Sequence, residues 1–246
     1  MQKSLLSFLS FLFISISLNA QSTAPGSVRA QGNPLDRDMA LRWLNNADNM
    51  NRARRSKLDL STIEGSVYYN ENFIKGDVFY LTKLFDSYPM RYNAFSDEIE
   101  IQRTEGSPLE SVYKSTSLTC IIDNESYVYS KYFDSKGEIK EGYIIRLNEG
   151  SKYVLFEKKT KVYKEGRKGA TSMHPTYPPK FEDKHDYFIS ADGEVPVQFK
   201  GSKKELTAIF GNEKASELKS FIKKNKIKLN KEEDLVKLME FVNDNA

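Results

Sequence analysis

The stretch RYNAFSDEIEIQR, residues 91–103, alternates apolar and polar side chains over its second half. In a β-strand, Ile99 and Ile101 point to one face. Three polar residues point to the other face: Glu98, Glu100 and Gln102. This alternation is typical of a strand with one buried and one solvated side. We therefore expect these acidic residues, with Asp97 at the turn-like start, to face water and not to form a metal or proton-transfer site.

The same two-residue period extends over about residues 64–200, where short apolar runs are separated by turn-forming segments at 134–137, 148–151 and 191–193. Asp-Gly at 192–193 is typical of a two-residue hairpin. Pro196 has no N–H to donate, so the strand that follows is expected at a sheet edge. The pattern predicts an antiparallel β-domain over residues 61–200, a meander forming a barrel or a sandwich.

Residues 201–246 change to helical spacing and form the C-terminal helical segment of the predicted α+β fold. Ser202 with Glu205, and Asn230 with Glu233, match the capping-box pattern that begins a helix. Helices this short are marginal alone, so we expect them to pack on the β-domain. The predicted fold class is therefore mainly antiparallel β followed by short C-terminal helices.

The first twenty residues resemble a secretory signal peptide, with Lys3, an apolar run over residues 5–18 and small Ala20 at the expected cleavage position. The apolar run is shorter than the roughly 20 residues that a membrane-spanning helix needs. We expect an exported chain in the periplasm, with outer-membrane association or secretion left open, and no transmembrane segment in the mature chain.

Residues 21–60 are predicted to hold a linker followed by an amphipathic helix. Leu35, Met39 and Trp43 recur every four residues and form one apolar stripe. Two interpretations remain open. The stripe either packs against its own domain or binds another protein, which makes these three residues the candidates for partner binding.

Composition excludes some classes of function. The chain has 37 Lys and Arg against 34 Asp and Glu, a net charge of +3, which makes no case for nucleic acid as a partner. The single cysteine, Cys120, alternates with Leu118 and Ile122 and is expected to be a small buried side chain.

Motifs for nucleophile elbows, zinc proteases, dinucleotides and phosphate loops are absent from the sequence, so we expect no catalytic residue and no cofactor. The one segment with metal-ligand residue types is SMHPTYPPKFEDKHDYF, residues 172–188. His174, His185 and Asp186 are weak candidate ligands there, but their spacing matches no compact zinc motif. We expect these residues to be exposed polar groups.

Three blocks in order resemble a family of exported proteins of unknown function from Gram-negative bacteria. They are EGSVYYNENFIKGDVFY (residues 64–80), YPMRYNAFSDEIEI (88–101) and FIKKNKIKLNKEEDLVKLMEF (221–241). Members of this family typically carry Pro and Leu where this chain has Val67 and Tyr69. The segment before Glu64 is longer than in the family. The resemblance implies export but no catalytic residue.

The sequence therefore predicts an exported, envelope-associated binding protein that is not an enzyme, with another envelope protein as partner. Fourteen tyrosines and several basic strands keep open a module that binds a glycan or a lipid headgroup. A metal-dependent hydrolase centred on His174 and His185 is the remaining alternative.

Overall fold

A computed structural model of the chain describes residues 59–150, 152–169 and 176–245. The predicted signal peptide, the stripe of Leu35, Met39 and Trp43, and His174 lie outside these residues.

The described chain forms one sheet of ten strands followed by two helices. The strands are β1 (Ile74–Tyr80), β2 (Lys83–Asn93), β3 (Glu98–Ile101), β4 (Glu110–Ser111), β5 (Leu118–Ile122), β6 (Glu125–Phe133), β7 (Ile139–Arg146), β8 (Tyr153–Lys164), β9 (Lys180–Ala191) and β10 (Val197–Phe199). The helices are α1 (Lys203–Asn225) and α2 (Glu232–Asp244). This architecture confirms the predicted fold class.

Strand order in the sheet is β10-β9-β8-β7-β6-β5-β1-β2-β3-β4, and these neighbours are antiparallel. β10 also pairs with β6 in parallel, through Val197 and Phe133, so β6 to β10 close into a ring. The backbone N–H of Phe133 donates to the carbonyl of Pro196 at 2.8 Å. The prediction that Pro196 marks a free edge strand is therefore wrong, because β10 has a neighbour on each side.

The acidic face of residues 98–101 is buried, which contradicts the solvated face that the alternation predicted. The side chain of Glu100 is 1% exposed and pairs with Arg91 at 2.9 Å. Tyr68 donates its hydroxyl to the same carboxylate at 2.9 Å, and Asn93 donates its amide at 3.1 Å. The segment before β1 covers this face of the sheet, and the carboxylate tolerates burial because it is paired and hydrogen-bonded.

The two helices begin differently. At α1 the hydroxyl of Ser202 accepts from the N–H of Glu205 and the carboxylate of Glu205 accepts from the N–H of Ser202, which confirms that capping box. At α2 the helix is preceded by Lys231, with no side-chain cap, so the capping prediction for Asn230 is wrong. The carboxylate of Asp234 instead accepts from the backbone N–H of Lys228 at 2.9 Å and holds the turn that enters the helix.

Apolar side chains form two main cores. The sheet core fills the space between the strands from β1 to β7, and it includes Met90, Ile99, Ile101, Tyr143 and Ile145, with Cys120 buried as predicted. The helix core joins α1 and α2 to the strands from β8 to β10, and it includes Leu155, Ile189, Leu206, Leu235 and Leu238. Among the described residues no helix has the length and apolar character needed to cross a membrane.

Candidate functional site

A group of ionisable side chains contributed by β6, β8 and β9 forms what we call the charged cluster: Glu125, Glu157, Lys159 and His185. Glu157 and Lys159 share one face of β8 because strand side chains alternate. In the β8–β9 register, Lys159 is opposite His185, which brings the imidazole to the same face. The cluster is therefore assembled by strand register and not by any local motif.

Glu157 and His185 form the centre of the charged cluster. The imidazole Nδ1 of His185 lies 2.5 Å from Oε1 of Glu157. The Glu157 side chain is only 2% exposed, whereas that of His185 is 42% exposed. A buried carboxylate thus orients the ring through Nδ1, and Nε2 is the ring nitrogen left for other groups.

Lys159 lies between the carboxylates of Glu125 and Glu157. Its ammonium pairs with the carboxylate of Glu125 and lies 3.9 Å from Oε2 of Glu157. Tyr127 donates its hydroxyl to the other oxygen of Glu125 at 2.6 Å. One cation is therefore shared between two acids, and the cluster carries more negative charge than the lysine alone offsets.

Tyr69 forms one wall of the cluster. Its ring packs edge-on against His185, with centroids 5.2 Å apart, and the Lys161 ammonium lies 4.3 Å from its ring centroid. Its hydroxyl donates to the carbonyl of Thr160 at 3.1 Å and accepts from the N–H of Lys184 at 3.2 Å. Burial raises the pKa of Tyr69 to about 12, so this hydroxyl stays neutral near neutral pH.

A cavity of about 130 Å³ opens beside the charged cluster, and we call it the tyrosine cleft. Tyr69, Tyr92 and Tyr127 supply its aromatic walls. Its polar lining comes from Asn70, Asn72, Arg91, Asp123, Glu125 and Lys159. Burial raises the pKa of Tyr127 far above its usual range, and the nearby Glu125 carboxylate adds to this, so Tyr127 also stays a neutral donor.

The start of α2 lies within the electrostatic field of the charged cluster. Burial raises the pKa of Glu232, and the negative charge of Glu157 raises it further. Burial likewise raises the pKa of Tyr187 to about 12, again with a contribution from Glu157. The negative charge of Glu157 therefore acts on the start of α2 as well as on β9.

A second ion pair lies on the opposite face of β8, where the ammonium of Lys158 contacts Oδ1 of Asp97 at 2.7 Å. The hydroxyl of Tyr92 donates to the same oxygen at 2.7 Å, and the N–H of Tyr143 donates to it at 3.2 Å. A side chain at Gly142 would collide with the Asp97 carboxylate, so glycine is needed for this close approach. We call this group the latch, because it holds the β2–β3 turn against β7 and β8.

The weak metal candidates do not converge in the described structure. His185 lies within β9, and its neighbour Asp186 points to the opposite face, where its carboxylate accepts from Gln198 at 2.9 Å. His174 lies outside the described residues, as do the partner-binding candidates Leu35, Met39 and Trp43. Within residues 59–150, 152–169 and 176–245, no three His, Cys, Asp or Glu side chains are placed to hold a metal ion.

The sequence did contain a signal for the residues that were missed. In YVLFEKK, residues 153–159, Glu157 follows Tyr153 and Leu155 on the apolar phase of the strand, where a charged side chain is unusual. That position predicts a buried acid with a partner. The partners themselves, Glu125 and His185, follow only from the folded structure.

Comparison with known proteins yields no relative. No protein-family model, no curated protein and no solved structure matches this chain. The resemblance to exported Gram-negative proteins therefore stays a prediction.

Proposed function

We propose that this protein is an exported binding protein of the cell envelope whose tyrosine cleft holds a small polyhydroxylated ligand, such as one sugar ring of an envelope glycan. Of the alternatives that the sequence left open, the glycan-binding module is the one that the geometry supports best. The observation that carries the proposal is the mixture of aromatic and polar side chains around one cavity of about 130 Å³.

Each class of lining residue suits a sugar. The flat, weakly polar face of a sugar ring packs on aromatic rings, which Tyr69, Tyr92 and Tyr127 provide. Sugar hydroxyls both donate and accept hydrogen bonds, and the amides of Asn70 and Asn72 can do both in return. A combination of aromatic walls with a few placed polar groups is typical of ligand sites.

The size of the cavity limits the ligand. Drug-sized molecules occupy sites of roughly 300–1,000 Å³. The tyrosine cleft, at about 130 Å³, is smaller than this. It suits a single ring or the end of a chain, with the rest of a longer glycan remaining in solvent.

Protonation states in the cleft support binding rather than turnover. Tyr69 and Tyr127 have raised pKa values and remain hydrogen-bond donors, not bases or nucleophiles, near neutral pH. The ammonium of Lys159 is held by the carboxylate of Glu125. Bonds within the protein hold these groups in place, with the Tyr69 hydroxyl donating to Thr160 and the Tyr127 hydroxyl to Glu125, so they form preformed walls for a ligand. The Cys120 thiol, whose pKa burial raises to about 12, stays unreactive.

The test is titration of the full chain with a panel of soluble oligosaccharides released from bacterial envelope glycans, followed by calorimetry or ligand-observed NMR. Asp123 is exposed, lines the cleft and has a backbone φ of 51°, in the left-handed region. Asp192 has the same backbone conformation, with φ at 50°, and lies in the turn after β9, away from the cleft. Asp123→Asn should weaken binding, whereas the matched control Asp192→Asn should not.

Binding that both variants weaken equally, or an absence of binding across the panel, would overturn the proposal. Circular dichroism of each variant verifies that the fold is retained. Export is tested separately, since the mass of the protein recovered from the cell envelope should lack residues 1–20.

A protein partner is the second candidate function, favoured by the exposed turn between β1 and β2. Leu81 and Leu84 are 63% and 52% exposed there. Exposed apolar patches are typical of contact surfaces, and two large apolar side chains are exposed within this one hairpin. Replacing both with serine should reduce cross-linking to an envelope protein while leaving oligosaccharide binding unchanged, which separates the two candidates.

A further inference from the structure

We infer that the ligand of the tyrosine cleft carries a protonated amino group, so that its chemical class is an amino sugar rather than a neutral sugar. This inference rests on the proposed function and names the class of ligand.

Both cations that line the cleft are occupied by acids. The guanidinium of Arg91 pairs with the buried Glu100 at 2.9 Å and is sandwiched between the rings of Tyr68 and Phe73, at 3.9 and 4.3 Å from their centroids. The ammonium of Lys159 pairs with Glu125. Neither cation is therefore well placed to bind an anionic ligand, because an anion would have to compete with an existing carboxylate.

One carboxylate of the cleft lining has no cation of its own. The charged residues of the lining are two cations, Arg91 and Lys159, and two acids, Glu125 and Asp123. Arg91 is paired with Glu100 from outside the lining, and Lys159 is paired with Glu125. Asp123 is exposed and forms no ion pair within the described part of the chain, so its carboxylate is open to a ligand.

The position of Asp123 suits an ammonium group. The turn between β5 and β6 consists of Asp123 and Asn124, both with positive φ, at 51° and 65°. This tight turn places Asp123 in the cleft lining that also includes the rings of Tyr69 and Tyr127. A carboxylate and aromatic faces together form a favourable environment for an amine, through a charge-assisted hydrogen bond and cation–π attraction.

The experiment compares two ligands that differ in one group. Oligomers of glucosamine and of N-acetylglucosamine of equal length are titrated into the full chain at a mildly acidic pH, where the free amines are protonated. The glucosamine oligomer should bind about tenfold more tightly, the effect of one hydrogen bond between charged groups. Asp123→Asn should remove this preference, and the matched control Asp192→Asn should retain it.

The outcomes separate the inference from the proposed function. Equal affinity for both oligomers, or binding only to neutral oligosaccharides, overturns the amino-sugar inference and leaves the sugar-binding proposal in place. A preference for glucosamine that Asp123→Asn and Asp192→Asn weaken alike shows non-specific attraction and also overturns it. If no oligosaccharide binds at all, the proposed function fails and the inference fails with it.

Discussion

Lys158 and Lys159 are neighbours in β8, but their side chains point to opposite faces of the sheet and have different surroundings. Lys158 belongs to the latch, where its side chain is 11% exposed and its ammonium meets Asp97 in a setting closed by Tyr92 and the backbone of Tyr143. Lys159 belongs to the charged cluster, at 16% exposed, and borders a cavity. Similar burial therefore accompanies two roles. The more enclosed pair, with Asp97 at 22% exposed against 36% for Glu125, holds the structure together, and the pair beside open space remains available to a ligand.

The largest expected effect comes from breaking the latch. Lys158→Met leaves the Asp97 carboxylate without its cation, and removing one partner of a buried pair costs about 3–5 kcal/mol. Because burial lowers the pKa of Lys158, the native ion pair already carries a desolvation cost, so the lower end of that range is expected. Urea denaturation followed by circular dichroism measures the free energy of unfolding.

Lys159→Met is the matched control for that experiment. It should cost less, because Glu125 is more exposed than the carboxylates of a closed core and keeps the hydrogen bond from Tyr127. Equal losses for the two lysine variants would contradict the distinction between the latch and the charged cluster.

Gly142→Ala tests the latch from its other side. The added methyl group would occupy the space of the Asp97 carboxylate, and overpacking of this kind costs about 1–3 kcal/mol. Because the two residues are in contact, the cost should shrink when Gly142→Ala is combined with Asp97→Ala. Purely additive losses in this double-mutant cycle would show that Gly142 is required for another reason.

The charged cluster should respond more mildly to the loss of His185. His185→Ala removes the partner of Oε1 of Glu157, but the ammonium of Lys159 remains 3.9 Å from Oε2. A loss of about 1 kcal/mol in the free energy of unfolding is expected. This is the low end of the range of about 1–3 kcal/mol that an unsatisfied buried acceptor costs. His185→Gln, which keeps a donor, should recover part of the loss. A loss as large as that of Lys158→Met would assign the cluster a structural role instead.

The smallest effect is expected for Glu232, and it depends on pH. The pKa of Glu232 is raised in the folded protein, so the native state holds this proton more tightly than the unfolded chain does. The resulting stabilisation is fully present below the unfolded value, near 4.5, and is lost as the pH rises through the raised folded value. Glu232→Gln should therefore become more stable relative to the wild type as the pH increases from acidic to neutral.

Glu233→Gln is the control, because it also removes an acid from the first turn of α2 and so loses the same favourable interaction with the helix dipole. The difference between the two variants isolates the field of the charged cluster. Stability curves that run parallel from acidic to neutral pH would show that Glu232 does not sense that field.

Much of the local structure was predictable because it follows from short-range chemistry. The two-residue period between residues 64 and 200 predicted the strands, and Ser202 with Glu205 marked the start of α1. The same reasoning was wrong at Asn230, where the pattern of a capping box was present but Asp234 formed the hydrogen bond to the turn instead. A capping motif shows which hydrogen bonds the residues are able to form. Which of them forms depends on the backbone conformation at the start of the helix.

The candidate site could be predicted only in part from the sequence. Residue type alone singled out His185, and the phase of β8 marked Glu157 as an acid on the apolar face. Neither signal paired them, since the contact depends on the register between β8 and β9 across a loop. Glu125 belongs to a third strand, β6, and its spacing from Lys159 in the sequence does not predict their contact.

Within the described residues, the sequence by itself determined where strands, turns and terminal helices form. What only the tertiary structure decided was which face of each strand is covered. Glu98 and Glu100 stand on the polar phase of β3, yet both are buried, because Tyr68 and Arg91 from other segments lie over that face. The physical reason is that periodicity arises within one strand, whereas burial depends on whichever distant residues pack against it.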